Sequence, residues 1–309
     1  MDVLSPQIPR TQAPVPARVP ARERIAGLWR LLRPQQWVKS LFVVPIGVLG
    51  VTEWSLGTAA GVGWALALFV VASSAVYVVN DILDREADRA HPVKRSRPIA
   101  SGRVSIRAAA LLAAGLLLVA AALLAARTVQ DAWPAGTYLV INAAYTLGLK
   151  RVAVVDIAVV ASGFALRYVQ GAIAAEGEVS VLLALTIFAA CLMFAAGKRR
   201  HEIGVAGSAH RPALAGYSIP FLDQLIGLAV VTTLLAYALH VQAAFSPGVP
   251  GTLLLVSVPL VVAILVRYLQ LILVRQQGGD PSKDIAADRV TIFLGGLTGV
   301  LLVLGTVLP

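Results

Sequence analysis

The sequence predicts an all-α, polytopic membrane protein: a bundle of nine transmembrane helices. Three observations carry this. Of the 309 residues, 58% are hydrophobic and 14% are charged, with a mean hydropathy of +0.80, too apolar for a water-soluble domain with one core. Apolar windows of about 17 to 25 residues recur along the whole chain. The Lys and Arg residues between them gather in alternate connections, as they do when one set of loops stays in the cytoplasm.

The elements follow in order. Residues 1–24 hold five prolines and four arginines and no apolar core of a signal sequence, and are expected to be a disordered cytoplasmic arm. Residues 25–39 mix Trp29, Leu31, Leu32 and Trp37 with Arg30, Arg33 and Lys39, which suits a helix lying in the membrane interface. Nine spans are expected at 38–53, 57–79, 107–126, 133–149, 154–174, 180–197, 222–244, 251–273 and 290–308. Pro45 and Pro259 fall inside spans, where a missing amide bond bends a helix. Gly57 and Gly61 have the spacing that lets helices approach closely.

All but three of the 26 Lys and Arg residues lie in the amino-terminal arm or in connections on one side. The exceptions are Arg127 in an outer loop and Arg167 and Arg267 within spans. The amino end is therefore expected in the cytoplasm and the carboxyl end outside, in a bacterial plasma membrane. Trp54, Trp64 and Trp133 fall near outer span ends, as an aromatic belt requires. Cys191 is the lone cysteine, read as a small core residue, so neither a disulfide nor a cysteine metal site is expected. The net charge of +10, held on one side, suits anionic lipid or a phosphorylated substrate. Nucleic acid is not expected as a partner, because the bases sit in short loops against the membrane.

The chemistry is concentrated where the second span ends. Charged groups near hydrocarbon cost several kcal/mol, roughly 2.5 to 3.5 each, so acids at that place point to function. On a continuous helix Asp81, Asp84 and Asp88 share a face about 60° wide, with Asn80 at its edge. An oxygen-only donor set suits a hard cation, and Mg²⁺ is commonly held by one or two carboxylates, waters and substrate phosphate. A solvated helix end, with ion pairs to Arg85 and Arg89, is the competing account. His91, Lys94, Arg95, Arg97 and Arg103 follow, broken by Pro92 and Pro98 into a constrained loop. Acids on a helix beside bases on a loop make a metal-diphosphate clamp, for which Lys94 and Arg97 are the expected contacts.

A second cluster is Tyr145, Lys150, Arg151, Asp156 and Arg167. Asp156 and Arg167 are spaced to share one helix stripe, which leaves open a structural ion pair or direct ligand binding. A third is Lys198, Arg199, Arg200, His201 and Glu202, of which Lys198 and Glu202 lie one turn apart. His201, His210 and His240 are read as loop or isolated residues, and the spacing of Asp280, Lys283, Asp284 and Asp288 assigns them no role.

The string Asn80-Asp81-x-x-Asp84-x-x-x-Asp88 resembles the first aspartate-rich motif of the UbiA superfamily of intramembrane prenyltransferases. Its continuation, Arg89-x-His91-Pro92-x-Lys94-x-x-Arg97-Pro98-Ile99-Ala100-Ser101-Gly102, is similar to the decaprenyl-phosphate phosphoribosyltransferase branch. So are Arg33-Pro34-x-Gln36-Trp37-Val38-Lys39, Tyr145-x-x-Gly148-Leu149-Lys150 with Val155-Asp156-Ile157, Ser162-Gly163-Phe164-x-x-Arg167, and Ala196-Gly197-Lys198-Arg199. The resemblance runs from about residue 28 to the end and implies nine helices around a central cavity. It also implies transfer of a 5-phosphoribosyl group from phosphoribosyl pyrophosphate to a polyprenyl phosphate, supplying cell-wall arabinan synthesis. Expected roles are Mg²⁺ on Asn80, Asp81, Asp84 and Asp88, with the three aspartates catalytic. Donor phosphates are expected on Lys94, Arg97, Tyr145, Lys150, Asp156, Arg167, Lys198 and Arg199, and the acceptor phosphate on Lys39 and Arg200. The second aspartate-rich motif of prenyl-diphosphate users is missing, since residues 198–218 contain no Asp and a single acid, Glu202. An aromatic prenyltransferase and a lipid transporter remain the rival readings, and a homo-oligomer is compatible with the sequence.

Overall fold

The computed structural model describes residues 20–47, 49, 51, 54–206 and 212–307, and every described element is helical. The helices are α1 (Ala21–Leu31), α2 (Pro34–Ile46), α3 (Leu56–Leu83), α4 (Arg85–Ala90), α5 (Ile106–Ala125), α6 (Val129–Leu147), α7 (Val155–Ala174), α8 (Val181–Ala206), α9 (Ile219–Ala243), α10 (Val249–Leu269), α11 (Pro281–Ala287) and α12 (Arg289–Val307). A π-helical turn, Gln270–Val274, extends α10. Residues 1–19, Glu53, His210, Arg211 and the side chain of Pro45 lie outside the described residues.

The helix starts follow local chemistry. Ser55, Ser105 and Ser218 each accept a bond from the backbone amide three residues on. Thr128 and Asp131 form a reciprocal capping box at the head of α6.

A helix overlaps each of the nine expected spans, but seven are long and apolar enough to cross a membrane: α3, α5, α7, α8, α9, α10 with its π turn, and α12. The 13 residues of α2 are too short, and the 19 of α6 too polar, to qualify by themselves. Seven such helices make this a multi-pass membrane protein. The expected interfacial helix is two pieces. The chain turns at Leu32 and Arg33, since Pro34 bars αR geometry from the residue before it, and Arg33 takes φ +52°. Helix already begins at Ala21, inside the expected arm.

α7 is the hinge of the packing: it lies against α2, α3 and α6 on one side and α8 on the other. Val44, Leu68, Phe69, Ala72, Ala135 and Tyr138 form the core of the first half. Ile157 joins Met193, Leu222, Ile226, Leu265, Tyr268 and Ile272 in the second. Small residues bring the backbones together, because a methyl on Gly171 would meet the Val44 carbonyl and one on Gly61 the Ala174 carbonyl. Gly61 thus has the expected role, while Gly57 would meet its own cap, Ser55.

Candidate active site

The continuous acidic stripe does not form. α3 stops at Leu83, Asp84 adopts φ −88° and ψ 2°, and α4 starts afresh at Arg85. At this break Asp84 reaches sideways to Lys150, 2.5 Å away, in the 3₁₀ turn that follows α6. Asp81 and Asp88 nevertheless converge. One guanidinium nitrogen of Arg97 lies 3.1 Å from Asp81 Oδ1 and 2.7 Å from Asp88 Oδ2. Arg33 donates to the same Asp81 oxygen at 2.6 Å and stacks over Tyr77. Asn80 accepts from the Thr146 hydroxyl at 2.6 Å. Asp81 and Asp88 are both buried, whereas Asp84 opens to solvent.

This donor set fits a hard divalent cation. Two carboxylate oxygens already flank one point of positive charge, the Arg97 nitrogen, and Asn80 and Asp84 border it in sequence. Among the described residues no three acidic, histidine or cysteine groups converge as a complete cage. A cation there would take its remaining ligands from waters and substrate oxygens, as Mg²⁺ commonly does. The competing ion pairs to Arg85 and Arg89 do not form: Arg85 pairs with Glu86, and Arg89 donates to the Ala100 carbonyl.

The other expected contacts separate into three groups. Arg167 and Lys39 stand together, their charged ends 5.6 Å and 5.7 Å from the centre of the Phe164 ring. Arg167 is buried, bonds to Ser40 Oγ, the Gly163 carbonyl and Tyr138 Oη, and also faces the rings of Phe69 and Tyr138. It does not pair with Asp156, despite their shared stripe. No carboxylate pairs with Arg167 or Lys39 among the described residues. Lys198 is exposed, with Glu202 and Lys39 among the charges that act on it.

Asp156 instead anchors a buried lattice. It accepts from Arg199 Nε at 2.8 Å and Tyr217 Oη at 2.5 Å, and Arg199 also holds Glu202 at 2.8 Å. Tyr217 takes the backbone amide of Val154, a non-glycine residue at φ +70°. Burial and the bond to Asp156 push the Tyr217 hydroxyl above its usual range. Arg199 is therefore held between two carboxylates rather than presented to a ligand, with Tyr145 close enough to feel its charge. Arg200 turns away to Asp223, 2.6 Å, and Gln276, 2.9 Å, and does not join Lys39. Lys94 sits in a short 3₁₀ turn, Lys94–Ser96.

Three contributors went unassigned in the sequence. Arg33 stood in a quoted motif, and its proline neighbour was the signal for an unusual backbone. Tyr217 gave no signal, lying beyond a loop with no periodic link to Asp156. Glu202, expected only to lie one turn from Lys198, pairs with Arg199 at i,i+3.

Comparisons with known proteins bear on the family and the fold. The UbiA prenyltransferase family matches residues 41–294. A decaprenyl-phosphate phosphoribosyltransferase of Mycobacterium tuberculosis is 36% identical over 282 residues, covering 88% of this chain and 91% of that one. One of Corynebacterium glutamicum is 34% identical over 229 residues, covering 72% and 69%. In fold, the chain is similar to a UbiA homolog from Archaeoglobus fulgidus bound to GPP and Mg²⁺, with a TM-score of 0.68, 20% identity and coverage of 90% and 98%. With residues 41–294 matched by the family and relatives 34–36% identical over most of its length, the chain belongs to the UbiA prenyltransferase family.

Proposed function

We propose that the protein transfers a 5-phosphoribosyl group from phosphoribosyl pyrophosphate to a polyprenyl phosphate, decaprenyl phosphate by its relatives' names, and releases diphosphate. The product is a lipid-linked phosphopentose of the kind that feeds arabinan synthesis. The observation that carries this reading is the pair Lys39 and Arg167: cations inside an apolar bundle, with no carboxylate in contact among the described residues and only Asp280 acting on Lys39 from a distance, suit an acceptor that brings its own negative charge. We place the acceptor phosphate on Lys39 and Arg167, with Lys198 at the rim, and the polyprenyl tail between apolar helices. Arg200 is excluded from this group by its bonds to Asp223 and Gln276.

In this reading Asn80, Asp81, Asp84 and Asp88 would hold Mg²⁺. The cation, when bound, neutralises the charge that develops on departing diphosphate. Arg97 and Lys150, released from the carboxylates, move onto diphosphate oxygens, and Lys94 is the next base on that loop. The acceptor oxygen forms a bond to the anomeric carbon as the bond from that carbon to diphosphate breaks, inverting the configuration. The acceptor is already anionic, so no residue has to remove a proton. Asp156, Arg199 and Tyr145 keep the base of α7 and α8 in register beside this centre.

In this reading α2 and α6 complete a nine-helix bundle around the cavity, with the amino end and the acidic mouth in the cytoplasm of a bacterial plasma membrane. Asp81→Asn keeps the shape of the side chain and removes its charge. Turnover is expected to fall about a hundredfold or more in protein that still folds, with a lowered unfolding temperature in detergent because Arg33 and Arg97 lose a counter-charge. Turnover at the wild-type rate in Asp81→Asn, or transport of intact lipid without product, overturns the proposal.

A further inference from the structure

A cavity of about 450 Å³ opens beside Asp81, between the α1–α2 joint and the loop that carries Arg97 and Pro98. Its volume is that of a small-molecule site. Trp29, Arg30, Arg33, Gln36, Asp81 and Arg97 line it. The reaction described above requires a place for the donor's phosphopentose end, and the expected bases do not provide one. Arg199 is held by Asp156 and Glu202, Lys150 lies at Asp84, and Arg167 is enclosed by three rings.

We infer that this α1 pocket binds the 5-phosphate and pentose of the donor, with Arg30 as the phosphate contact at its outer end. The inference rests on the phosphoribosyl reading and adds a subsite to it. The chemistry of the walls selects the ligand. The inner end carries Asp81 and Arg97, where the diphosphate binds. The outer end carries Arg30, exposed and without an ion-pair partner among the described residues. A donor with a phosphate at each end of a short polyol spans that arrangement. Gln36 offers amide groups to ring hydroxyls. The Trp29 indole stands edge-on to Trp37 at 5.7 Å, which fixes it as a flat wall for a sugar face. An isoprenoid tail fits poorly here, because desolvating the arginines without a counter-charge is costly.

Two features place the pocket for chemistry. Arg33 belongs to both the cavity and the acid cluster, and its left-handed backbone, φ +52°, aims it at Asp81 instead of solvent. Lys39 follows Gln35 and Gln36 by one helical turn on α2, about 5.4 Å further in. The acceptor phosphate on Lys39 is thereby delivered to the sugar from the core side, with diphosphate leaving beside Asp81.

Ribose 5-phosphate, which lacks the diphosphate, probes this subsite alone. In purified full-length protein, competitive inhibition against phosphoribosyl pyrophosphate is expected, weakened roughly tenfold or more in Arg30→Ala, partly restored in Arg30→Lys, and unchanged in Arg107→Ala. Arg30 is exposed, so its replacement leaves the fold intact, which a matching unfolding temperature verifies. The proposal is overturned if ribose 5-phosphate does not inhibit the wild type, or inhibits Arg30→Ala equally. It is also overturned if Arg30→Ala raises KM for polyprenyl phosphate instead, since the pocket then serves a lipid headgroup. Wild-type protein that makes no product at all from phosphoribosyl pyrophosphate defeats the functional reading itself, a separate outcome.

Discussion

Asp81 accepts from two arginines that approach from opposite directions, Arg33 from the α1–α2 joint and Arg97 from the loop after α4. Buried carboxylates are tolerated only when their charge is met, so these guanidiniums hold the acids in place. The same logic governs Asp156, which is fully buried. Tyr217→Phe removes one of its donors and the acceptor for the Val154 amide, and should cost about 1–3 kcal/mol of stability in detergent unfolding. An unchanged midpoint would show that water replaces the hydroxyl and that the lattice is not structural. Of these residues, the acids at the end of α3 were legible as a cluster, because Asp and Asn have no reason to end an apolar helix, but not the shared face expected of them. Their partners were not. Ion pairs such as Arg33 with Asp81 and Arg199 with Asp156 join distant helices, and helical periodicity relates residues only within one.

At the scale of elements, the long apolar helices were readable because a 17- to 25-residue window is a property of the chain itself. The break at Asp84 was not, and its carboxylate meets Lys150 from the turn after α6, a contact between distant parts of the chain. The partition of residues 25–39 was not read, although Pro34 offered a signal, and the joint is braced by the Trp37 indole N–H donating to the Leu32 carbonyl and, across the fold, to Ser74. The close crossing of α2 and α7 gives a sharp expectation. Gly171→Ala forces a methyl against the Val44 carbonyl, and should destabilise the protein by about 1–3 kcal/mol. Because Lys39 and Arg167 lie on these two helices, the same change should raise KM for the acceptor lipid. Intact stability and an unaltered KM in Gly171→Ala would refute the rigid crossing.

Over the whole molecule, function depends on keeping a polar mouth attached to an apolar bundle. Arg267 near the end of α10 clamps Asp288, which also caps Thr291 at the head of α12, with contacts of 2.6 Å and 2.7 Å. This bonding, chiefly with Arg267, holds the Asp288 carboxyl well below the usual carboxylate range. A depressed folded-state value means that the clamp stabilises fully above the unfolded value, about 3.9, and is lost as pH falls below it toward the folded value. Asp288→Asn should lower the unfolding temperature at neutral pH and flatten its decline in acid, and a variant that melts in parallel with wild type at every pH contradicts the clamp.

The central claim is that a phosphopentosyl diphosphate, not a prenyl diphosphate, is the donor used at the acidic mouth. Purified protein is given labelled phosphoribosyl pyrophosphate with decaprenyl phosphate in one reaction, and labelled prenyl diphosphate with an aromatic acid in another, each with and without a chelator. The account predicts a labelled lipid product in the first reaction alone, abolished by the chelator. Product in the second reaction alone, or turnover in the first that is undiminished by chelation, contradicts it.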